Sequence, residues 1–370
     1  MMTLPTLFTG IRQFLKTLGL YRNRIPKLDA FWVLNMAWLA QAVATLVQLN
    51  LVEYVEREPR TLDEMARHAG VDSSRLDQIV RALAAFDILA FLPPDRYSLG
   101  RRGLSLSRHR HVCLAEYVKV WSTQLYPAAA RMCDQVRGTR TAFDLTHGAS
   151  LWEYYSQNPA AGEDFDDFMN RVTEFHVESI LRAYPFARHQ SVVDVGSGRG
   201  YFLKKLLEQN PLIRGTWLDR RELLQTARST FAGSGVAERV TYVIGDFLSA
   251  VPEGADLYTI KHVLHDWNNA LCSQIVGCIA QAMRNDSTLL ILEAVLDTQG
   301  DMNALLHLRS LDQFIWTGGR CRSRQEFAAL LAPHGLEIRG VVPTGVVDLQ
   351  VVHVTKQRLP IARAPVCARV

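Results

Sequence analysis

The chain is poor in cysteine patterns that bind metals. Its six cysteines form no C-x-x-C pair and show no zinc spacing, so we expect no metal site. Unpaired cysteines favour reduced thiols in a cytoplasmic protein over a disulfide scaffold. The N-terminus also lacks the short apolar core and cleavage site of a signal peptide.

Strong net charge is also absent, since the formal balance of the 370 residues is only +4. The basic cluster at Arg320–Arg324 is therefore interpreted as solvated surface rather than a binding patch. A hydrophobic content of 48% and a charged content of 21% are typical of a globular protein with ample core. The length suggests two domains.

Charged residues are missing from Ala30 to Val52, a length that would span a bilayer. However, Gln41, Thr45 and Gln48 recur at helical spacing and form one polar stripe. We interpret the segment as a helix buried in a protein–protein interface, and we expect no membrane partner.

A third glycine is missing where a dinucleotide fingerprint would need it. An apolar run through Asp194 leads into Gly196, Gly198 and Gly200, but Tyr201 occupies the position of the last glycine in G-x-G-x-x-G. The turn still allows a polar cofactor to approach the backbone closely. Asp219, after the next apolar run, suits a ribose diol.

Residues 61–103 have the pattern of a winged helix: a capped short helix, a turn, an amphipathic helix and a two-strand wing. The second helix, Ser73–Phe86, offers only Arg75 and Arg81 as cations and also carries Asp77. A helix that reads a DNA groove normally presents more basic and amide side chains. A structural or dimerising role is favoured, with no nucleic-acid partner.

Strand and helix patterns alternate from residue 191 onward, which predicts a doubly wound α/β domain. Two final apolar runs predict a terminal hairpin at the edge of the sheet. The predicted organisation is an N-terminal domain at 1–105, a helical connector at 106–190 that contributes to the substrate pocket, an α/β domain at 191–356 and a poorly ordered tail at 357–370.

Residues suited to a cofactor follow four successive predicted strands. Because ligands bind at the carboxyl ends of strands in open α/β sheets, these residues should share one edge. They are the glycine turn, Asp219, Asp246 with Phe247, and the run from Lys261 to Trp267. Glu293 follows a fifth strand.

The blocks Gly245-Asp-Phe, Lys261, Val263-Leu-His-Asp-Trp267 and Gly318-Gly319 resemble the S-adenosylmethionine (SAM)-dependent O-methyltransferases related to caffeate and acetylserotonin methyltransferases. The resemblance covers roughly residues 30–355. It implies a Rossmann-like class I methyltransferase domain and an N-terminal winged-helix domain that forms a homodimer. It also implies SAM as methyl donor and S-adenosylhomocysteine as product.

The resemblance assigns roles to individual residues. His265 matches the general base and Glu293 a carboxylate that orients it. The implied cofactor residues are Asp194, Gly196, Gly198, Asp219, Asp246, Phe247 and Lys261. The implied pocket residues are Phe168, Met169, Val172, Phe175, Asp312, Trp316 and Cys321. His262 is interpreted as structural.

One position departs from the family. Cys321 stands where plant members have a glutamate beside the catalytic histidine, and a neutral thiol stabilises an imidazolium poorly. Either His265 and Glu293 suffice, or Asp312 substitutes, or the acceptor needs less help from a base.

The expected function is methylation of a hydroxyl on a small, aromatic secondary metabolite, such as an antibiotic precursor. A C- or N-methyltransferase and a non-methylating SAM-binding protein remain alternatives within the fold. A SAM-responsive winged-helix regulator of transcription is the alternative from another class.

Overall fold

The computed structural model describes residues 26–109, 114–296 and 301–357. The chain divides into two compact units. Unit 1 comprises Met1–Phe175 and Gln299–Gly318, and unit 2 comprises His176–Thr298 and Gly319–Val370. The predicted tail lies almost wholly outside the described residues.

Unit 1 is mainly helical. Its described helices are α1 (Pro26–Gln48), α2 (Leu51–Arg57), α3 (Leu62–Ala69), α4 (Ser73–Ala85), α5 (Ala115–Val120), α6 (Tyr126–Ala129), α7 (Met132–Arg137), α8 (Ala142–His147), α9 (Leu151–Gln157), the first part of α10 (Pro159–Ala183) and α14 (Asp301–Thr317). A π-helical turn, Trp121–Leu125, joins α5 to α6. A small antiparallel sheet contains β1 (Arg60–Thr61), β2 (Leu89–Leu92) and β3 (Arg96–Leu99) in the order β1-β3-β2.

The start of α3 and of α4 follows the predicted capping. Thr61 and Glu64 form a reciprocal capping box at α3, and Asp72 accepts the N–H of Arg75 at α4. Gly70 ends α3 in the left-handed region, at the predicted turn between the two helices. The predicted order of helix, helix and hairpin is therefore present.

Unit 2 is built on a seven-stranded sheet. Its strands are β4 (Ser191–Val195), β5 (Arg214–Asp219), β6 (Val240–Ile244), β7 (Leu257–Lys261), β8 (Thr288–Glu293), β9 (Leu336–Pro343) and β10 (Gln350–Lys356). They lie in the order β6-β5-β4-β7-β8-β10-β9. The first five strands are parallel, and the hairpin β9–β10 adds antiparallel strands at one edge. The predicted α/β domain and terminal hairpin are confirmed.

The sheet reverses its winding between β4 and β7. The chain runs outward from β4 through β5 to β6 and then returns to β7 on the other side of β4. A crevice opens at such a switch point, outside the carboxyl ends of the strands. The loops after β4 and β7 meet there.

The helices of unit 2 cover both faces of the sheet with apolar side chains. They are α11 (Tyr201–Gln209), α12 (Leu224–Phe231), α13 (Asn269–Ala282) and α15 (Arg324–Leu331). Short 3-10 turns at Phe186–Arg188, Arg221–Leu223, Ala237–Arg239, Leu264–Asp266 and Ala332–His334 join these elements. Separate buried clusters include Ile275 with Phe327 and Leu206 with Trp217.

The division into units differs from the predicted connector boundary at residue 190. The end of α10 packs with the sheet of unit 2, because Val177 and Ile180 join the same buried cluster as Val192. The helix α14 was not predicted from the sequence, and it groups with unit 1 although it follows β8. Its exposed leucines obscure the amphipathic pattern.

The segment predicted as one helix from Ala30 to Val52 is two helices. Asn50 has a φ of 54°, which ends α1 and starts α2. The second half of α1 packs Ala42 and Leu46 into the core of unit 1, whereas Trp38 is exposed. No described helix is long and apolar enough to cross a membrane.

Candidate active site

The glycine turn after β4 is held by hydrogen bonds between its backbone and two side chains of β5. Gly196, Gly198 and Gly200 all have positive φ, which disfavours residues with a Cβ. The N–H of Gly198 donates to Asp219 Oδ2 at 2.7 Å, and its carbonyl accepts from Trp217 Nε1 at 2.8 Å. A Cβ on Gly196 would lie 2.7 Å from Val263 Cγ2, whereas a Cβ on Gly198 would meet nothing within 4 Å. The turn therefore borders open space at Gly198.

Asp194 lies buried at the end of β4. Its carboxylate accepts the hydroxyl of Ser197 at 2.6 Å and that of Thr259 at 2.7 Å. Burial raises the pKa of Asp194 to about 6, against the lowering effects of these hydroxyls and of the Lys261 charge. A buried carboxylate that is anionic at neutral pH suits a cationic ligand.

Asp219 ends β5 and is also buried. Its second oxygen accepts the N–H of Arg220 at 2.8 Å. Burial raises the pKa of Asp219, and the N–H groups of Arg220 and Gly198 oppose that rise. A carboxylate has about four acceptor positions, so two remain for a ribose diol.

The next strand ends place an exposed acid and an aromatic ring at the same edge. Asp246 follows β6 and accepts the N–H of Leu248 at 2.9 Å. Phe247 is half-buried and lies edge-on to Trp267, with ring centroids 6.2 Å apart. With the glycine turn and Asp219, these groups place hydrogen-bonding groups and a flat aromatic ring at one edge of the sheet.

His265 lies in the 3-10 turn that follows β7 and is 2% exposed. Its Nδ1 lies 3.8 Å from Glu293 Oε2, and its Nε2 lies 3.4 Å from Asp266 Oδ1. The first distance permits an ionic interaction but exceeds a hydrogen bond. Glu293 is therefore near enough to favour a protonated imidazole.

Glu293 also holds the backbone of the His265 turn. Its Oε1 accepts the N–H of Val263 at 3.2 Å and that of His265 at 3.1 Å. Burial raises the pKa of Glu293 to about 7, although Arg322 and the backbone donors oppose the rise. The carboxyl thus changes charge in the neutral pH range.

The interpretation of Arg320–Arg324 as solvated surface is wrong for Arg322, because the side chain of Arg322 is only 1% exposed. Its guanidinium donates to the carbonyl of Leu264 at 2.7 Å, the carbonyl of Trp267 at 2.8 Å and Asn269 Oδ1 at 3.0 Å. The neighbouring residue Cys321, which is not in a disulfide, is also buried. Arg322 thus braces both ends of the His265 turn.

Most of the expected pocket residues lie in unit 1, whereas the cofactor and catalytic candidates lie in unit 2. Phe168 packs against Tyr117 with ring centroids 5.3 Å apart, and Trp316 is buried edge-on to Phe165. Phe175 is exposed. Met169 and Val172 are half-buried.

Asp312 accepts a hydrogen bond from the Tyr117 hydroxyl at 3.3 Å within unit 1. Burial raises the pKa of Asp312 to about 6, and burial together with the Asp312 charge raises the pKa of Tyr117 well above its ordinary value. Tyr117 therefore stays a hydrogen-bond donor at all physiological pH values.

Three residues of the site were missed by sequence reasoning. Ser197 and Thr259 hold Asp194, and Arg322 braces the turn. Thr259 carries a weak signal, since it is a small hydroxyl residue between apolar and aromatic neighbours in its strand. Arg322 carries none, because its cation is surrounded by other basic residues in the sequence. Among the described residues, no group of three or more His, Cys, Asp or Glu could hold a metal ion.

A sequence model of the O-methyltransferase domain family matches residues 130–337. The chain is 31% identical over 332 residues to the mitomycin biosynthesis 6-O-methyltransferase of Streptomyces lavendulae, covering 88% of this chain and 93% of that protein. It is 30% identical over 317 residues to the 8-amino-8-demethylriboflavin N,N-dimethyltransferase of Streptomyces davaonensis, covering 84% and 90%.

Solved structures show the same fold. The mitomycin 7-O-methyltransferase superposes with a TM-score of 0.84 at 30% identity, covering 89% of this chain and 97% of that chain. An O-methyltransferase from neocarzinostatin biosynthesis, solved with SAM and 2-hydroxy-5-methyl naphthoic acid, superposes with a TM-score of 0.76 at 26% identity, covering 86% and 95%.

Proposed function

We propose that this chain, which belongs to the O-methyltransferase family, methylates a hydroxyl group of a small aromatic molecule with His265 as general base. As a member of that family it is a SAM-dependent methyltransferase and releases S-adenosylhomocysteine. The observation that carries the proposed role is the burial of His265 beside Glu293 at the switch point of the sheet. Relatives named for mitomycin and neocarzinostatin biosynthesis support an antibiotic or related secondary metabolite as the acceptor.

The residues of unit 2 fit the cofactor. When bound, SAM supplies an electrophilic methyl group on a sulfonium. The carboxylate of Asp194 is suited to the cationic methionine part, and Asp219 to the ribose hydroxyls. Phe247 and Asp246 offer a ring face and an acceptor to the adenine, and Lys261 lies beside this group of residues.

The proposed chemistry assigns a proton to His265. A phenol with a pKa near about 10 is mostly neutral at pH 7, so its oxygen is a weak nucleophile. The imidazole takes the phenol proton as the methyl group transfers. Glu293 then stabilises the imidazolium by its charge, as the carboxylate does beside other catalytic histidines.

N-methylation is the second candidate, and two observations favour it. Cys321 leaves His265 without the second acid of the plant family, and one relative is named as an N,N-dimethyltransferase. An aromatic amine keeps its nucleophilic lone pair at neutral pH, so it needs less help from a base.

Methyl transfer from [methyl-13C]SAM to a panel of acceptors distinguishes the candidates. Suitable probes are 1,4-dihydroxy-2-naphthoate, 3-amino-4-hydroxybenzoate and 8-amino-8-demethylriboflavin. The proposal predicts a labelled O-methyl carbon in the product spectrum. A label found only on nitrogen would reject O-methylation, and the absence of SAM binding in calorimetry would reject the cofactor assignment.

The N-terminal unit is proposed to dimerise rather than to bind DNA. Phe31, Leu34 and Trp38 recur at helical spacing on α1 and are all exposed, with Trp38 70% exposed. An apolar stripe of this kind suits the same stripe of a second copy. In α4, Arg81 is paired with Asp77 at 2.7 Å, which leaves little positive charge for phosphates.

Light scattering of the intact chain tests the dimer. Trp38→Glu should halve the mass observed for the wild type, whereas Leu212→Glu, at an exposed leucine of unit 2, should not. A monomeric wild type would contradict the proposal. Among the described cysteines, Cys133, Cys272, Cys278 and Cys321 form no disulfide, which supports a reducing, cytoplasmic location.

A further inference from the structure

Two more histidines of unit 2 form a chain of contacts that ends at His265: His176 contacts His262, and His262 contacts His265. The Nε2 of His262 lies 3.2 Å from the Nδ1 of His176, within hydrogen-bond distance. Both side chains are almost fully buried. His262 leaves the end of β7, and His176 lies on α10, so two separate elements converge on one contact.

The partner of His176 determines the direction of this hydrogen bond. His176 Nε2 lies 3.2 Å from Asp348 Oδ1, in the loop before β10. A carboxylate only accepts, so Nε2 of His176 carries a proton. In a neutral His176 the Nδ1 is then an acceptor, and the Nε2 of His262 donates to it. Asp348 and His176 thus fix both the orientation and the tautomer of His262.

The backbone of His262 is unusual as well. Its φ is 52°, in the left-handed region that few residues with a Cβ adopt. Its N–H donates to the carbonyl of Leu292 at 3.2 Å, which ties the bend to β8. Strained residues of this kind persist only where the surrounding structure holds them, and they cluster at functional sites.

The ring of His262 lies over the ring of His265. Their centroids are 5.3 Å apart and their planes differ by 21°, so the rings are stacked. The carboxylate of Glu293 approaches the same imidazole at its Nδ1. The stack acts on the plane of the ring, whereas Glu293 at 3.8 Å and Asp266 at 3.4 Å act on its two nitrogens.

We infer that His262 is a positioning residue for His265, anchored by His176 and Asp348 and acting through the stacked rings. The inference rests on the proposed function, in which His265 is the general base. A base must stay aligned with the proton it removes, so a ring that tilts freely loses part of its catalytic effect. His262 itself exchanges no proton with the acceptor.

The motion of the His265 ring tests the inference without any acceptor. In protein labelled with [13Cε1]histidine, the His265 signal is identified by its loss in His265→Ala. Its 13C relaxation should show increased motion in His262→Ala and in His176→Ala. In His262→Phe, which keeps a ring but not the donor, the motion should increase less than in His262→Ala.

The matched control is His189→Ala, which removes another buried histidine of unit 2. His189 comes just before β4, so it lies at the amino end of that strand, whereas His265 follows the carboxyl end of β7. It should leave the His265 signal unchanged. Unaltered relaxation in His262→Ala, or an equal change in His189→Ala, would overturn the inference. Because the measurement needs no turnover, it is independent of whether His265→Ala loses methyl transfer, which tests the proposed function alone.

Discussion

Gly198 and Gly233 have nearly the same backbone strain but different surroundings. Their φ values are 58° and 67°, and a Cβ on either would meet nothing within 4 Å of the protein. Only Gly198 lies in the turn between Asp194 and Asp219. The open space beside Gly198 is therefore the space expected for the cofactor.

We expect Gly198→Ala to weaken SAM binding at least about tenfold, because the new methyl group occupies that space and costs over about 1.4 kcal/mol. Gly233→Ala should lose similar stability but keep its affinity. Calorimetric titration of both variants with SAM checks this. Equal affinities would place the cofactor elsewhere.

Glu293 combines a positioning role with a cost in stability. Its pKa is raised to about 7 in the folded state, compared with the ordinary value of 4.5. The folded state therefore binds more protons than the unfolded state between these values, and the stability contribution of this group falls as pH rises from about 4.5 to 7. Above pH 7 the cost is fully present.

Glu293→Gln should therefore stabilise the protein at pH 8 by about 1–3 kcal/mol and have little effect at pH 4.5. It should also reduce kcat, since the amide no longer stabilises an imidazolium. Urea unfolding at the two pH values measures the first effect. The exposed Glu238→Gln serves as the control, and a variant less stable than wild type at pH 8 would contradict the assignment.

At the scale of elements, the turn Leu264–Asp266 depends on side chains from other parts of unit 2. Glu293 holds its N–H groups, and Arg322 holds the carbonyls of Leu264 and Trp267. A carboxylate thus accepts from the N–H groups of the turn, and a guanidinium donates to its carbonyl groups. The position of His265 is therefore set by tertiary contacts.

Arg322→Leu should lower the free energy of unfolding by about 3–5 kcal/mol, because it leaves the buried carbonyls of Leu264 and Trp267 without their donor and removes a positive charge that favours the Glu293 carboxylate. Arg320→Leu removes an exposed pair with Glu326 and should cost less than about 1 kcal/mol. Urea unfolding of the two variants compares them directly. Similar losses would mean that Arg322 does not brace the turn.

Local patterns were sufficient to predict much of unit 2. The alternation of strand and helix patterns predicted the α/β sheet, and the residues at the ends of β4, β5, β7 and β8 share one edge because parallel strands align their carboxyl ends. The contacts of Arg322 and of His176 were not predictable, since they join residues far apart in sequence. The break at Asn50 was also not predictable, because a hydropathy pattern does not show that an asparagine adopts the left-handed backbone conformation.

At the scale of the whole chain, the two units contribute different residues. The cofactor and catalytic candidates belong to unit 2, and most of the aromatic pocket candidates belong to unit 1. Helix α14 belongs to unit 1 despite its place in the sequence, so the chain passes between the units more than once. Simple division of the sequence into consecutive domains could not have found this.

Cofactor specificity should appear in the stability of the whole protein. SAM at about 100 times its Kd should stabilise the folded state by about 2.7 kcal/mol, since a ligand that binds only the native state shifts unfolding by mass action. NADH should give no shift, because Tyr201 replaces the third glycine of a dinucleotide turn. Thermal unfolding with each ligand checks this, and stabilisation by NADH alone would contradict it.

The central claim is that His265 removes the proton from an acceptor hydroxyl. The most direct measurement is the single-turnover rate of methyl transfer from SAM to 1,4-dihydroxy-2-naphthoate in the wild type, His265→Ala and His109→Ala, an exposed histidine of unit 1. We predict a loss of about 10²–10⁴-fold in His265→Ala and an unchanged rate in His109→Ala. Wild-type transfer by His265→Ala would contradict the claim.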